Sequence, residues 1–118
     1  MDFTKEIYND VTVETVNMER ATMKEALEFK DILLNNIDNG CRKLIIDLSS
    51  CAFIDSTFLG SLVVVMKKMK NAGGEIILVS PKSFAYDMLQ VTGTLKLFSM
   101  YILLKEALAH FDVVFAEN

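Results

Sequence analysis

Apolar residues recur along this chain with two different periods, and the changes of period divide it into strands and helices. Residues 3 to 8 and 11 to 16 predict two short strands. In the second, Val11 and Val13 alternate with Thr12 and Glu14, the period of a half-buried strand. Asn9-Asp10 between them is a turn signal, so the pair predicts a hairpin. From Thr22 the period lengthens: Ala26, Phe29, Leu33 and Ile37 fall on one face of a helix. Thr22 and Glu25 form an S/T-x-x-E capping box at its start, and Asn39-Gly40 closes it with a residue suited to the left-handed conformation.

Leu44 to Leu48 (LIIDL) is the short, mostly apolar run of a strand buried on both faces. A second helix is expected from Asp55-Ser56-Thr57 to about Asn71, with Leu59, Leu62, Val63 and Met66 toward the core. Phe58, with Val65 and Met69 seven and eleven residues on, lies on another stripe of that helix. That stripe either packs beneath the third helix or leaves Phe58 partly exposed beside Ser56 as an apolar anchor for a partner. Ala72-Gly73-Gly74 stops the helix, and Glu75 to Val79 is another buried strand. Ser80-Pro81 predicts a helix start, since the proline ring fixes the backbone angle of a first helical residue. That helix carries Phe84, Met88 and Leu89 and ends at Thr92-Gly93. Leu97 to Tyr101 and Leu103 to Phe111 predict a last strand and helix, and residues 112–118 a tail without clear period.

Alternation of this kind predicts an α/β fold: one domain over residues 1–118, core about 3–111. Its mixed central sheet opens with a hairpin and continues in alternating β-α units. The length, 118 residues, suits one core. With 52% hydrophobic and 24% charged residues the chain is not of disordered composition. No apolar run exceeds five residues, as in Leu62 to Met66, against the roughly 20 that a membrane helix needs. The opening MDFTKE lacks the pattern of a secretion signal, so a cytoplasmic location is expected.

The formal net charge is −4. The one lysine cluster, Lys67, Lys68 and Lys70, reads as a solvated helix face, so no direct nucleic-acid partner is expected. Cys41 and Cys51 flank a strand. At ~3.3 Å per residue they stand on the order of 20 Å or more apart, too far for a disulfide. With a single histidine, His110, no standard zinc site is visible, and no metal or cofactor is expected. His110 also lacks an obvious acid to orient it, and there is no G-x-S-x-G elbow, so hydrolase chemistry is not supported. Asp47 and Asp55, both near the end of the third strand, could hold Mg²⁺ as in phosphate-accepting response regulators. Those need an acidic pair after the first strand, where this chain has Asn9-Asp10 in a hairpin.

Asp55-Ser56-Thr57 at a helix start are first of all caps. The same position also exposes a hydroxyl at the positive end of a helix dipole, where an added phosphate changes the surface charge by about −1.5 to −2.

The run IDLSSCAFIDSTFLGSLVVVMKKMKNAGGEIILVS resembles the signature of STAS domains, in particular the small bacterial anti-sigma factor antagonists. Their pattern is a strand ending D-L-S, an I/M-D-S-S/T-G-L-G helix start, a lysine-bearing helix, a Gly-Gly stop and a strand. MLQVTGTLKLF resembles the family's L-x-x-T-G-L-x-x-x-F, and YILLKEAL its closing E-A-L helix, so the resemblance spans nearly the whole chain. It implies a binding module without catalytic activity, monomeric or weakly dimeric, whose serine after the aspartate, here Ser56, is phosphorylated by an anti-sigma factor serine kinase. The unphosphorylated form binds that kinase and frees the sigma factor, and a serine phosphatase reverses the modification. By the same resemblance Asp55, Thr57, Asp47 and Thr22 belong to the partner-binding region, and Phe58, on its own stripe beside Ser56, is added to it as the apolar anchor described above. The family has glycine where Phe58 stands. It has G-x-L-D where this chain reads Glu19-Arg20-Ala21-Thr22, with Thr22 replacing the aspartate as a cap. The alternative is an unphosphorylated STAS adaptor or scaffold subunit of a larger assembly, such as a stress-sensing complex or lipid transporter.

Overall fold

The structure, a computed structural model, describes residues 2–115. β1 (Phe3–Tyr8) and β2 (Val11–Val16) form the expected hairpin. Asn9 makes the turn with a positive φ of 56°, a conformation asparagine tolerates better than most residues. A short strand, β3 (Arg20–Ala21), leads into α1 (Met23–Asp38). The chain continues through β4 (Lys43–Asp47), the short β5 (Phe53–Ile54), α2 (Ser56–Asn71), β6 (Glu75–Val79) and α3 (Ser83–Val91). A 3₁₀ turn (Thr94–Leu97), β7 (Ser99–Tyr101) and α4 (Leu104–His110) complete it. The main sheet has the order β1-β2-β4-β6-β7, antiparallel only at the hairpin and parallel elsewhere. This is the mixed α/β sheet expected from the alternation.

Parallel strands require crossovers, and here the crossovers cover the sheet. Leu44, Ile46, Ile76 and Leu78 face α1, α2 and α3, whereas Ile45, Ile77 and Val79 face α4. α1 follows its sequence closely. Ala26, Phe29, Leu33 and Ile37 are buried, and Thr22 Oγ1 accepts from Lys24 N while Glu25 accepts from Thr22 N. Through the core runs an aromatic column. The rings of Phe3 and Phe29 stack at 4.7 Å, and those of Phe29 and Phe58 at 5.5 Å and 8°.

Five expectations need correction. β2 is not half-buried: hydrogen-bonded on both sides and covered on both faces, it buries Thr12 and Glu14 as well as Val11 and Val13. The buried stripe of α2 is Phe58, Leu59, Leu62, Val65 and Met69, while Val63 and Met66 are only half-buried, because α1 lies on the Phe58 side. α3 begins at Ser83 with Lys82 at its cap, since the Lys82 N–H is spent on Cys51 O and Pro81 stays in the buried connection. The last strand starts at Ser99, after the 3₁₀ turn takes up Leu97. The core extends past Phe111 to Val113, and Phe115 packs edge-on against Tyr8; residues 116–118 lie outside the described part.

The Gly-Gly stop has a steric reason. Gly73 takes a left-handed φ of 84°. A Cβ on Gly74 would press into the Met69 thioether and come within 2.7 Å of Arg42 O, so no side chain fits where α2 turns back into β6.

Glu14, only 1% exposed, is satisfied by a polar chain that no sequence period announces. Asn36 Nδ2 donates to Glu14 Oε2 at 2.6 Å, and Lys5 Nζ donates to Asn36 Oδ1 at 2.8 Å. Burial still dominates and raises the Glu14 pKa above its ordinary 4.5, the Asn36 bond and Lys5 only partly offsetting it. A raised folded-state pKa gives stability that is complete below the unfolded value and is lost as pH climbs through the folded one. Glu14→Gln should therefore be more stable than the parent at pH 7, and the gain should shrink as pH falls toward 4. Denaturant melts of both proteins across that range check this; a pH-independent difference would refute it.

Candidate functional site

The strands β4 and β6 end, and the helices α1, α2 and α3 begin, along one edge of the sheet. There β3 and β5 form a separate two-stranded parallel sheet, Arg20 beside Phe53 and Ala21 beside Ile54. Ala21 and Ile54 are buried, so by strand alternation Arg20 and Phe53 point away from the core. This small sheet brings the start of α1 beside the start of α2.

Asp55 joins them. Its backbone is extended, as an N-cap requires, and its Oδ1 accepts from Phe58 N at 2.8 Å. Its Oδ2 accepts from Met23 N, the first residue of α1, at 2.7 Å. The Asp55 N–H in turn donates to Ala21 O. One carboxylate thus satisfies an orphan N–H from each of two helices, with its charge set at both positive dipole ends. Thr22 caps α1 from the other side through its hydroxyl.

Helix geometry then sorts the next residues. Ser56 and Thr57 are exposed and, among the described residues, neither hydroxyl makes a hydrogen bond. Asp55, and not Ser56, does the capping, so the Ser56 hydroxyl is free. Phe58, two residues further round, is 0% exposed and stacked on Phe29. The anchor reading of Phe58 is corrected: it is a core residue and offers a partner nothing.

Asp47 is corrected as well. It is 8% exposed, shares a strand face with Ile45, and its Oδ1 accepts from the Ser49 N–H and hydroxyl at 3.0 and 2.7 Å. With both aspartates committed inside the chain, the structure gives them no shared cation site. Among the described residues no group of three or more His, Cys, Asp or Glu side chains could hold a metal.

Two further features were not visible in the sequence. His110, expected to stand alone, lies 2.9 Å from Glu75 through Nε2 and 2.9 Å from the Tyr101 hydroxyl through Nδ1, pinning α4 to β6 and β7. Exposed Phe84 of α3 stacks on Phe53 at 5.6 Å, with the Arg20 guanidinium 4.2 Å above the Phe53 ring. Both depend on residues far apart in sequence.

Cys51, buried at the turn between β4 and β5, has its thiol pushed up to about 12 by burial, with Asp47 adding and Lys82 opposing. Both cysteines are free.

Known proteins share this arrangement. The family model described as STAS domain matches residues 3–107. A Thermotoga neapolitana protein named as a candidate anti-sigma factor antagonist is 29% identical over 110 residues, 90% of this chain and 94% of that one. A crystal structure of a protein so named from Thermotoga maritima is 26% identical with a TM-score of 0.84, over 94% of this chain and 95% of its own. The anti-sigma factor antagonist SpoIIAA in its unphosphorylated form shares the fold at 16% identity, TM-score 0.75, over 95% and 99% of the two chains. The structure of its phosphorylated form has a TM-score of 0.73 at 17% identity, over 92% and 98%. Among the described residues no helix is long and apolar enough to cross a membrane.

Truncating Phe58 to alanine should cost about 3–5 kcal/mol of stability. Asp55→Ala should cost about 1–2 kcal/mol, since one cap is lost and the exposed Met23 N–H turns to water. Asp55→Asn, which keeps one acceptor oxygen, should lose less. Chemical denaturation orders the three; an Asp55→Ala protein as stable as the parent would refute the double cap. In native buffer a thiol reagent should label Cys41 alone, with Cys51 reacting only after unfolding. Native labelling of two thiols per chain contradicts that burial.

Proposed function

The chain belongs to the STAS domain family, and we propose that it acts as an anti-sigma factor antagonist switched by phosphorylation at Ser56. The observation that carries this reading is the free Ser56 hydroxyl at the first turn of α2, exposed while Asp55 does the capping. A kinase can take that serine without removing any interaction that holds the fold.

The chemistry of the switch is electrostatic. Unmodified, the Asp55-Ser56-Thr57 turn is a surface that an anti-sigma factor can cover. A phosphate on Ser56 adds about −1.5 to −2 charges to a chain whose net charge is already −4. The helix end offsets this locally by about 0.3–1 kcal/mol, whereas like charges brought together in a desolvated interface cost several. The partner is an anti-sigma factor serine kinase, bound when Ser56 is free and released when it is phosphorylated, with a serine phosphatase restoring the binding form. The relative's name and the paired SpoIIAA structures support this reading.

Incubation with a purified anti-sigma serine kinase and ATP should give a single phosphoserine at Ser56 by mass spectrometry. Ser56→Ala should abolish that labelling and leave both melting and partner binding close to the parent. Ser56→Asp should weaken binding with little change in melting. Labelling that persists in Ser56→Ala overturns the assignment, and an Asp variant that binds as tightly as the parent returns the chain to the adaptor reading.

A further inference from the structure

Phe84 is an exposed aromatic residue in an ordered setting. It is 58% exposed on the first turn of α3, whose buried face is Ala85 and Leu89, and it is held in place by stacking on Phe53. Phe53 in turn also meets the Arg20 guanidinium, 4.2 Å from its ring centre. Among the described residues Arg20 makes no ion pair. With Glu19 and Ala52 the three line an open groove of about 540 Å³. Glu19 O accepts from Ala52 N and Phe53 N, so both sides of the groove are fixed to one backbone.

We infer that this Arg20–Phe53–Phe84 shelf is a second contact site for the anti-sigma factor, taking an apolar side chain flanked by a carboxylate. The inference rests on the function proposed above. Its geometry is independent of the phosphoacceptor's own chemistry.

Position names the occupant. Phe53 precedes Ser56 by three residues of nearly extended chain, which span at most about 11 Å. A protein interface of standard size covers about 800 Å² on each partner, a patch of roughly 16 Å radius. A patch of that radius centred on Ser56 therefore reaches Phe53, the near side of the shelf, and Phe84 lies one ring-to-ring step of 5.6 Å beyond.

Charge names the contact. On a chain of net charge −4, a guanidinium without an ion pair among the described residues gives a partner's carboxylate a point of attraction, with Glu19 as the one acidic residue lining the same groove. A preordered aromatic ring beside it needs little further ordering to grip an apolar side chain, and Phe84 is such a ring.

Calorimetric titration of the purified anti-sigma serine kinase from the same genome tests this, against the parent, Phe84→Ala, Arg20→Glu, Arg20→Lys and Ser56→Asp. Phe84→Ala should weaken binding by about thirtyfold, the size of a hot-spot truncation, with melting close to the parent. Arg20→Glu should weaken it at least as much, and Arg20→Lys less. If Ser56→Asp weakens binding but Phe84→Ala and Arg20→Glu bind like the parent, the shelf is refuted and the switch stands. If the shelf variants weaken binding and Ser56→Asp does not, the shelf stands and the switch falls. A parent protein that binds no such kinase overturns both. Self-association by sedimentation that Phe84→Ala abolishes, with kinase binding unchanged, gives the shelf to a second copy and overturns the proposal.

Discussion

A single carboxylate sets the geometry of the candidate site. Asp55 accepts from the first N–H of α1 with one oxygen and from the third residue of α2 with the other. No other side chain of that length carries two equivalent anionic acceptors, which is why an aspartate can do what serine or asparagine at an N-cap cannot. Once both helix ends are fixed to one side chain, the rest of the first turn of α2 follows from a rotation of about 100° per residue. Ser56 and Thr57 fall outside, and Phe58 falls inside, against Phe29. The exposed hydroxyl and the aromatic column beneath it are two consequences of one cap.

The column explains why this chain tolerates a phenylalanine where the resembled family has glycine. Phe3 on β1, Phe29 on α1 and Phe58 on α2 stack in sequence, tying the edge hairpin to the helix that carries Ser56. A glycine at position 58 would leave the inner face of Phe29 without a stacking partner. The substitution is therefore matched by the neighbouring helix, and it alters the core without adding to the surface around the serine.

Those same residues show where sequence periodicity is sufficient and where it is not. α1 was legible to the residue because its cap, its stripe and its closing glycine are all local signals. In α2 two stripes compete, one through Leu59, Leu62, Val63 and Met66 and one through Phe58, Val65 and Met69, both at helical spacing. Which of them is buried depends on where α1 lies, and that information is nowhere in the helix itself. β2 misled for a similar reason: a polar residue at position 14 reads as solvent-facing unless Asn36, 22 residues away, is known to meet it. The Asp55-Ser56-Thr57 turn is legible because capping chemistry is local, whereas the Phe53–Phe84 and His110–Glu75 contacts join residues 31 and 35 apart and leave no periodic trace. Asp47 looked like a site residue for its place at a strand end, but a side chain there can fold back on its own turn, and this one does.

The switch proposed for Ser56 needs a fold that does not respond to the added charge, and the capping arrangement meets that need. Both Asp55 oxygens already hold an N–H, so a phosphate arriving on Ser56 finds the structural donors taken. By position, the N–H groups of Ser56 and Thr57 have no acceptor within the helix and remain free to meet it. The phosphate can thus be accommodated by donors on which the fold does not depend. Its cost to folding is bounded by the few tenths to one kcal/mol that a helix end exchanges with a nearby anion, against the several that like charges cost in a desolvated interface. In the proposed switch, the division of labour between adjacent residues, Asp55 for the fold and Ser56 for the surface, would let a change of charge act on association and leave stability nearly alone.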